Sequence, residues 1–133
     1  MRNPPVPCPR GVRAPVPSVF AAQNDAFRHH VCNDAPFPAG MPILDGGLVI
    51  SSAIRRVGLL FVLDCMKAVG EIEAFPAEAD PCGFRDRGAT CVAGRTVWFV
   101  IDHYDREMKF GSPAPDDPAL TSRVLTILSP SDY

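Results

Sequence analysis

The chain has 133 residues, 47% of them hydrophobic, so it can bury a core but has room for only one domain. Its formal net charge is −2, yet all fifteen acids lie after residue 20 against ten lysines and arginines, which gives that part about −5. With no basic stripe and no apolar run of membrane-spanning length, direct nucleic-acid binding and membrane insertion are not expected.

The first nineteen residues are rich in proline and contain arginine but no acid. Proline fixes φ and removes a backbone donor, so residues 1–19 are predicted to form a disordered, polyproline-like tail. The segment lacks the apolar middle of a signal peptide. It is either a ligand for a proline-binding domain or an extension without a binding role, and residues 20–133 are predicted to form a single domain.

Five cysteines are scattered along the chain without a C-x-x-C pair. An odd number of thiols without a secretory signal favours reduced cysteines and a cytoplasmic location. Cys65 and Cys91 are predicted to be core residues. Cys82, in a polar loop, is the candidate for a reactive thiol.

Residues 20–32 are predicted to form a first helix, because Phe20, Phe27 and Val31 follow helical spacing. The polar residues expected on the other sides of this helix are Asn24, Asp25 and Arg28.

A second, long helix is predicted over residues 53–75, capped by Ser51 or Ser52. Leu60 and Leu63 fall on its polar side. Either another part of the chain covers them, or they form a contact patch, for example in a homodimer.

Short apolar segments predict the strands. They cover residues 48–50, 89–92, 95–104 and 121–129, with Ala93-Gly94 as a hairpin turn and residues 108–110 as an extension of the sheet. Helices first and strands later favour an α+β fold. We expect a small antiparallel sheet of three to five strands packed against one long and one shorter helix.

The segment 96–105 has the strongest strand pattern and ends in the densest group of titratable side chains. Its apolar run predicts a central strand covered on both faces. Alternation then places Asp102 and Tyr104 on one face and His103 and Asp105 on the other.

Three polar segments, 80–87, 102–105 and 112–117, are predicted to form one acidic surface rim. This rim is the predicted docking site for another protein, for example a basic one. The candidate binding residues are Asp80, Arg85, Asp86, Asp102, His103, Tyr104, Asp105, Ser112, Asp117 and Arg123. No cofactor is predicted.

A metal-assisted hydrolase is the alternative. Carboxylates plus one imidazole suit Mg²⁺ or Mn²⁺, with Asp86, Asp102 and His103 as weak candidate ligands beside Asp80 and Asp105. The competing interpretation is structural: Asp80 and Asp86 cap turns, and Asp102 pairs with Arg123 or another arginine.

Several segments match a known family pattern. They are Asn24-Asp25-Ala26-Phe27-Arg28, Gly46-Gly47-Leu48-Val49, Asp80-Pro81-Cys82-Gly83 with Asp86 and Gly88, residues 98–105, Gly111-Ser112-Pro113 with Pro115, Asp117-Pro118, Thr121, and residues 123–127. On these residues the chain resembles the bacterial domain of unknown function 3768 (DUF3768) family, over roughly residues 24–133.

The chain departs from that pattern in the loop and at the central strand. Positions held by Asn, Glu and His in the family correspond to Ala79, Phe84 and Arg85, a Lys corresponds to Val100, and a Tyr to His103. The resemblance implies the fold and mobile-element or plasmid surroundings, with no known activity. It keeps a regulatory or anti-defence role as a hypothesis.

Overall fold

Helix α1 spans Pro17–Asn33 in the computed structural model, which describes residues 3–5 and 14–133 of the chain. Proline is favoured in the first turn, because an N–H at that position has no carbonyl partner within the helix. The helix ends at Asp34, which adopts a left-handed conformation and donates its N–H to the carbonyls of His29 and His30. The predicted first helix is confirmed, and it begins inside the segment predicted to be a disordered tail.

The predicted long helix over residues 53–75 is wrong, because the chain forms two helices there. Helix α2 spans Ser52–Val57, and the hydroxyl of Ser51 caps it by accepting the N–H of Ile54 at 3.4 Å. Helix α3 spans Leu59–Gly70. Between them Gly58 adopts φ 133° and ψ 165°, which glycine tolerates because it has no Cβ.

The four strands are β1 (Gly46–Ile50), β2 (Arg87–Val92), β3 (Arg95–Tyr104) and β4 (Ser122–Leu128), in the spatial order β1-β4-β3-β2. The pairs β2–β3 and β3–β4 are antiparallel, whereas β1 runs parallel to β4. The α+β class is confirmed, and the sheet is mostly antiparallel with one parallel pair.

The predicted hairpin is confirmed. Ala93 and Gly94 both take positive φ, 50° and 77°, which is typical of the two-residue turn whose twist matches the flanking strands. Residues 108–110 form no strand, contrary to the prediction, and only an isolated bridge joins Tyr104 to Gly111.

The helices cover one face of the sheet, here called the inner face. Its core is formed by apolar side chains from both layers, including Phe27, Phe61, Cys65, Val69, Val97, Phe99, Ile101, Leu125 and Ile127. The opposite, outer face carries Trp98, which is fully buried, with the ring of Tyr133 edge-on at 6.0 Å. Of the helices described, none has the length and apolar character to cross a membrane.

Candidate functional site

Strand β3 sends its last polar side chains to opposite faces of the sheet. Asp102 is exposed on the outer face, where it lies opposite Val124. His103 lies opposite Arg123 and faces helix α1. The predicted binding residues are therefore divided between two faces, and Asp102 and Arg123 do not pair as the structural interpretation had suggested.

His103 belongs to the packing between sheet and helix. Its ring contacts that of Phe20, with 4.5 Å between centroids, and its Nε2 lies 2.8 Å from Oδ1 of Asn24. Burial lowers the pKa of His103 well below its ordinary value, and the charges of Arg123 and Arg87 lower it further. The imidazole is therefore neutral at neutral pH, and the acceptor Oδ1 requires the proton on Nε2.

Arg123 is completely buried beneath the first helix. Its Nε donates to Oδ1 of Asn24 at 3.0 Å, and its Nη2 donates to Oε1 of Gln23 at 2.8 Å and to the carbonyl of Pro115 at 3.3 Å. Its Nη1 has no hydrogen-bond partner in the described part of the chain. Burial lowers the pKa of Arg123 to about 10. A cation placed this deeply joins β4 to helix α1 and presents no charge to a partner.

Asp25 lies between two arginines. Its Oδ1 accepts from Arg28 at 3.0 Å and its Oδ2 accepts from Arg85 at 2.8 Å. Arg28 is 1% exposed and also donates to the carbonyl of Ile72 at 3.0 Å, whereas Arg85 is 42% exposed. Both guanidinium groups lie 5.1 Å from the ring centroid of Phe75, within the range of cation–π attraction. This cluster attaches the loop before β2 to helix α1.

Asp80 holds the turn of that loop. Its Oδ1 accepts the N–H of Phe84 at 3.0 Å and its Oδ2 accepts that of Arg85 at 3.2 Å. These bonds support Arg85, whose φ is 55°. Burial raises the pKa of Asp80, and the two backbone hydrogen bonds oppose that rise. The geometry agrees with the turn-capping interpretation of Asp80.

Three predicted residues adjoin on or beside the outer face: Asp86, Asp102 and Tyr104. Desolvation raises the pKa of Asp102; Arg87 opposes the rise and the negative charge of Asp86 adds to it. The charge of Asp102, and then burial, raises the pKa of Tyr104. Asp86 pairs with Arg87 at 3.4 Å, but among described residues Asp102 makes no hydrogen bond and no ion pair. Asp102 is thus an exposed carboxylate that the charge of Arg87 stabilises only at a distance.

The remaining predicted residues hold loops in place. Oδ1 of Asp105 accepts the N–H of Lys109 at 3.0 Å, and Oδ1 of Asp117 accepts that of Ala119 at 3.0 Å. Ser112 is 1% exposed, and its hydroxyl lies 2.7 Å from that of Thr121. Of these three, Ser112 is not available to a partner.

Residues 3–5 and 14–133 contain no group of three or more His, Cys, Asp or Glu side chains placed to hold a metal ion. Asp102 and His103 lie on opposite faces, which is why the sequence cluster does not converge in space.

The cysteines differ in exposure. Cys32 and Cys65 are buried, and burial raises their thiol pKa to about 12 and about 11. Cys82, the candidate reactive thiol, is exposed. Cys91 is also exposed, so its prediction as a core residue is wrong. Cys8 lies outside the described residues.

Helix α3 presents leucines to solvent. Leu59, Leu60 and Leu63 are 72%, 78% and 50% exposed. The alternative in which another part of the chain covers Leu60 and Leu63 is therefore wrong. We call these three residues the leucine face.

A family model described as protein of unknown function (DUF3768) matches residues 50–132, more than half of the chain. The chain belongs to the DUF3768 family. Comparison with curated proteins gives no match, and comparison with solved structures gives none.

The DUF3768 match runs from the end of β1 to the last residue before the C-terminal tyrosine. It contains the hairpin, β4 and the loop carrying Asp80 and Arg85, but not helix α1. Asn24, Asp25 and Arg28 lie outside the matched residues. Asn24 nevertheless bonds to Phe84 and to Arg123 of β4, Asp25 bonds to Arg85, and Arg28 bonds to the carbonyl of Ile72.

Sequence reasoning missed Gln23, Asn24 and Arg28 as part of the site. Asn24 and Arg28 were expected on the sides of the first helix away from its apolar stripe, and Gln23 was not considered. In the structure they are 6%, 0% and 1% exposed. The segment from Asn24 to Arg28 within the family resemblance was the available signal, since it combined three polar side chains with the core residue Phe27.

Proposed function

We propose that this DUF3768 protein is a non-catalytic, cytoplasmic protein-binding module whose outer sheet face docks a basic region of another protein. The observation that carries the proposal is Asp102, which is exposed, has no ion-pair partner among described residues and has a raised pKa. A carboxylate in this state gains stabilisation from an incoming cation, because the cation favours its ionised form.

The surroundings of Asp102 support a protein ligand. Tyr104 follows it on the same face and is half-buried, so it offers an apolar ring and a hydroxyl together. Tyrosine is enriched in protein interfaces. Asp86, which pairs with Arg87, adds a second carboxylate beside them. The docking surface is thus smaller than the rim predicted from sequence, and consists of Asp86, Asp102 and Tyr104.

The non-catalytic part of the proposal is supported by the engagement of the other titratable candidates. His103 is bound to Asn24 beneath the first helix, and Asp80 holds a backbone turn. Neither side chain is therefore placed to act as a general acid or base beside Asp102. The mobile-element surroundings that the family resemblance implies favour a regulatory or anti-defence role for this binding.

The test is capture of a partner from the host by immobilised full-length protein, with the isosteric variant Asp102→Asn beside wild type. Glu71→Gln, which removes an exposed carboxylate just after helix α3, is the matched control. We expect wild type and the control to retain a basic protein at low salt and release it at high salt, and Asp102→Asn to retain much less. Equal capture by Asp102→Asn, or a complex insensitive to salt, would contradict the proposal.

A homodimer through the leucine face is a second proposal, favoured by the exposure of Leu60 and Leu63. Asp64 and Lys67 lie exposed on the same helix, and their opposite charges can pair across a two-fold axis when two copies of α3 pack antiparallel. Light scattering should give a dimer mass for wild type and a monomer mass for Leu60→Asp. Phe110→Asp, at a 74% exposed loop position, should remain a dimer. A wild-type monomer mass would reject this proposal.

A further inference from the structure

The proline-rich N-terminal segment contacts the domain at both of its described stretches. In residues 3–5, Pro4 is buried and Nη1 of Arg87 donates to the carbonyl of Pro5. In residues 14–16, Pro15 is buried and the N–H of Val16 donates to Oδ2 of Asp116 at 3.0 Å. These contacts differ from those expected of a tail without a binding site.

Residues 3–5 lie against a recess beside strand β2. A cavity of about 300 Å³ is lined by Asn3 together with Phe75, Pro76, Arg87 and Ala89. Arg87 itself is 9% exposed, and its guanidinium contacts the carboxylate of Asp86 and the carbonyl of Pro5. The recess thus has an apolar wall and one buried cationic donor.

This chemistry fits a proline-rich ligand. Proline has no N–H, so an extended proline-rich segment offers a partner mainly carbonyl oxygens and ring surfaces. Arg87 supplies the donor. Ala89 lines the recess and pairs across strands with Trp98, the fully buried aromatic residue of the outer face. Aromatic-lined grooves with a polar donor are a recurring way to bind polyproline-type segments.

We propose that Arg87, Ala89 and Trp98 form a binding site for an extended proline-rich segment, and that residues 3–5 of the same chain occupy it. Residues 3–5 are then a detachable cover of this part of the outer face. Arg87 contacts both Pro5 and Asp86, so release of residues 3–5 changes the surroundings of Asp86. The site stands on its own contacts and does not depend on the proposed docking function.

Trp98 is the chain's single tryptophan, so its fluorescence reports on the site directly. Deleting residues 1–13 should shift its emission to the red and increase quenching by acrylamide. A synthetic peptide of residues 1–13 added to the deleted protein should reverse both changes, and the same peptide with its prolines replaced by alanine should not. Arg87→Ala in the deleted protein should weaken peptide binding roughly tenfold, as expected for a lost charge-assisted hydrogen bond. Arg106→Ala, at an exposed arginine, should leave it unchanged.

Unchanged emission on deletion together with no peptide binding would overturn the proposal, since Tyr133 and the sheet would then suffice to cover Trp98. If the deleted protein loses its folded circular dichroism spectrum, the full-length double variant Pro4→Gly, Arg87→Ala should show the same red shift, and its failure to do so also rejects the site. A full-length Arg2→Ala, Arg10→Ala variant controls for charge. A red shift in that variant equal to that of the deletion would mean that the arginines, and not the prolines, hold the segment.

Discussion

Nε2 of His103 lies 2.8 Å from Oδ1 of Asn24, and this hydrogen bond joins the end of the central strand to the first helix. The same oxygen accepts from Nε of Arg123 at 3.0 Å, and Nδ2 of Asn24 donates to the carbonyl of Phe84 at 3.0 Å. One buried amide therefore connects helix α1, both central strands and the loop before β2.

Asn24→Ala should lower the free energy of unfolding by about 2–4 kcal/mol, because it leaves the buried donors of His103 and Arg123 without their acceptor. Urea unfolding followed by Trp98 fluorescence measures the change. Ser18→Ala, on the exposed side of the same helix, should change it by less than about 0.5 kcal/mol. A similar small effect for Asn24→Ala would mean that the network does not stabilise the fold.

Stability should fall as the pH is lowered, because the pKa of His103 is well below 6.5 when folded and near 6.5 when unfolded. Below pH 6.5 the unfolded state binds the additional proton, so the contribution is complete above that pH and is lost progressively below it. Between about pH 7.5 and 5.5 it amounts to at most about 1.4 kcal/mol, the limit for one proton bound by the unfolded state alone.

His103→Gln should reduce this pH dependence in urea unfolding measured at both pH values. His29 is still present in this variant, and its pKa is also lowered, by burial and by Arg28. The variant should therefore keep a weaker pH dependence of stability with the same sign. An unchanged slope in His103→Gln would show that His103 is not the group responsible.

Asp25→Ala should cost more stability than Arg85→Ala, although both remove the same ion pair. Asp25→Ala also leaves Arg28, which is 1% exposed, without its carboxylate, and we expect a loss of about 2–4 kcal/mol. Arg85 is 42% exposed, so its pair should contribute about 0–1 kcal/mol. Thermal and urea unfolding of both variants give the comparison, and equal losses would contradict the assigned asymmetry.

Gly58→Ala distinguishes the observed break between α2 and α3 from the continuous helix predicted from sequence. With φ at 133°, alanine should destabilise the protein by about 1–3 kcal/mol although an added Cβ meets no atom within 4 Å. A continuous helix would instead be stabilised by up to about 1 kcal/mol. Gly47→Ala is the control, because an added Cβ there also meets no atom within 4 Å but φ is not positive. It measures the effect of replacing glycine by alanine without backbone strain.

Strand β3 was predicted at its observed bounds, and β4 to within one residue at each end. Apolar runs and a two-residue turn are local signals, so they could be read directly. The helix break could not, because a glycine within helical spacing is compatible with both a continuous helix and a break. Only the structure shows that Gly58, with φ 133°, separates the two helices.

The order of residues alone determined the α+β class, the hairpin and the separation of Asp102 from His103, since a strand's period of two follows from backbone geometry. Only the tertiary structure decided that Asn24, Arg28 and Arg123 are buried and that Asp102 is left exposed without an ion-pair partner among the described residues. The physical reason is that burying a polar group is favourable only when its partners are in place. The partners of Asn24 are 60 to 99 residues away along the chain, beyond the reach of any local pattern.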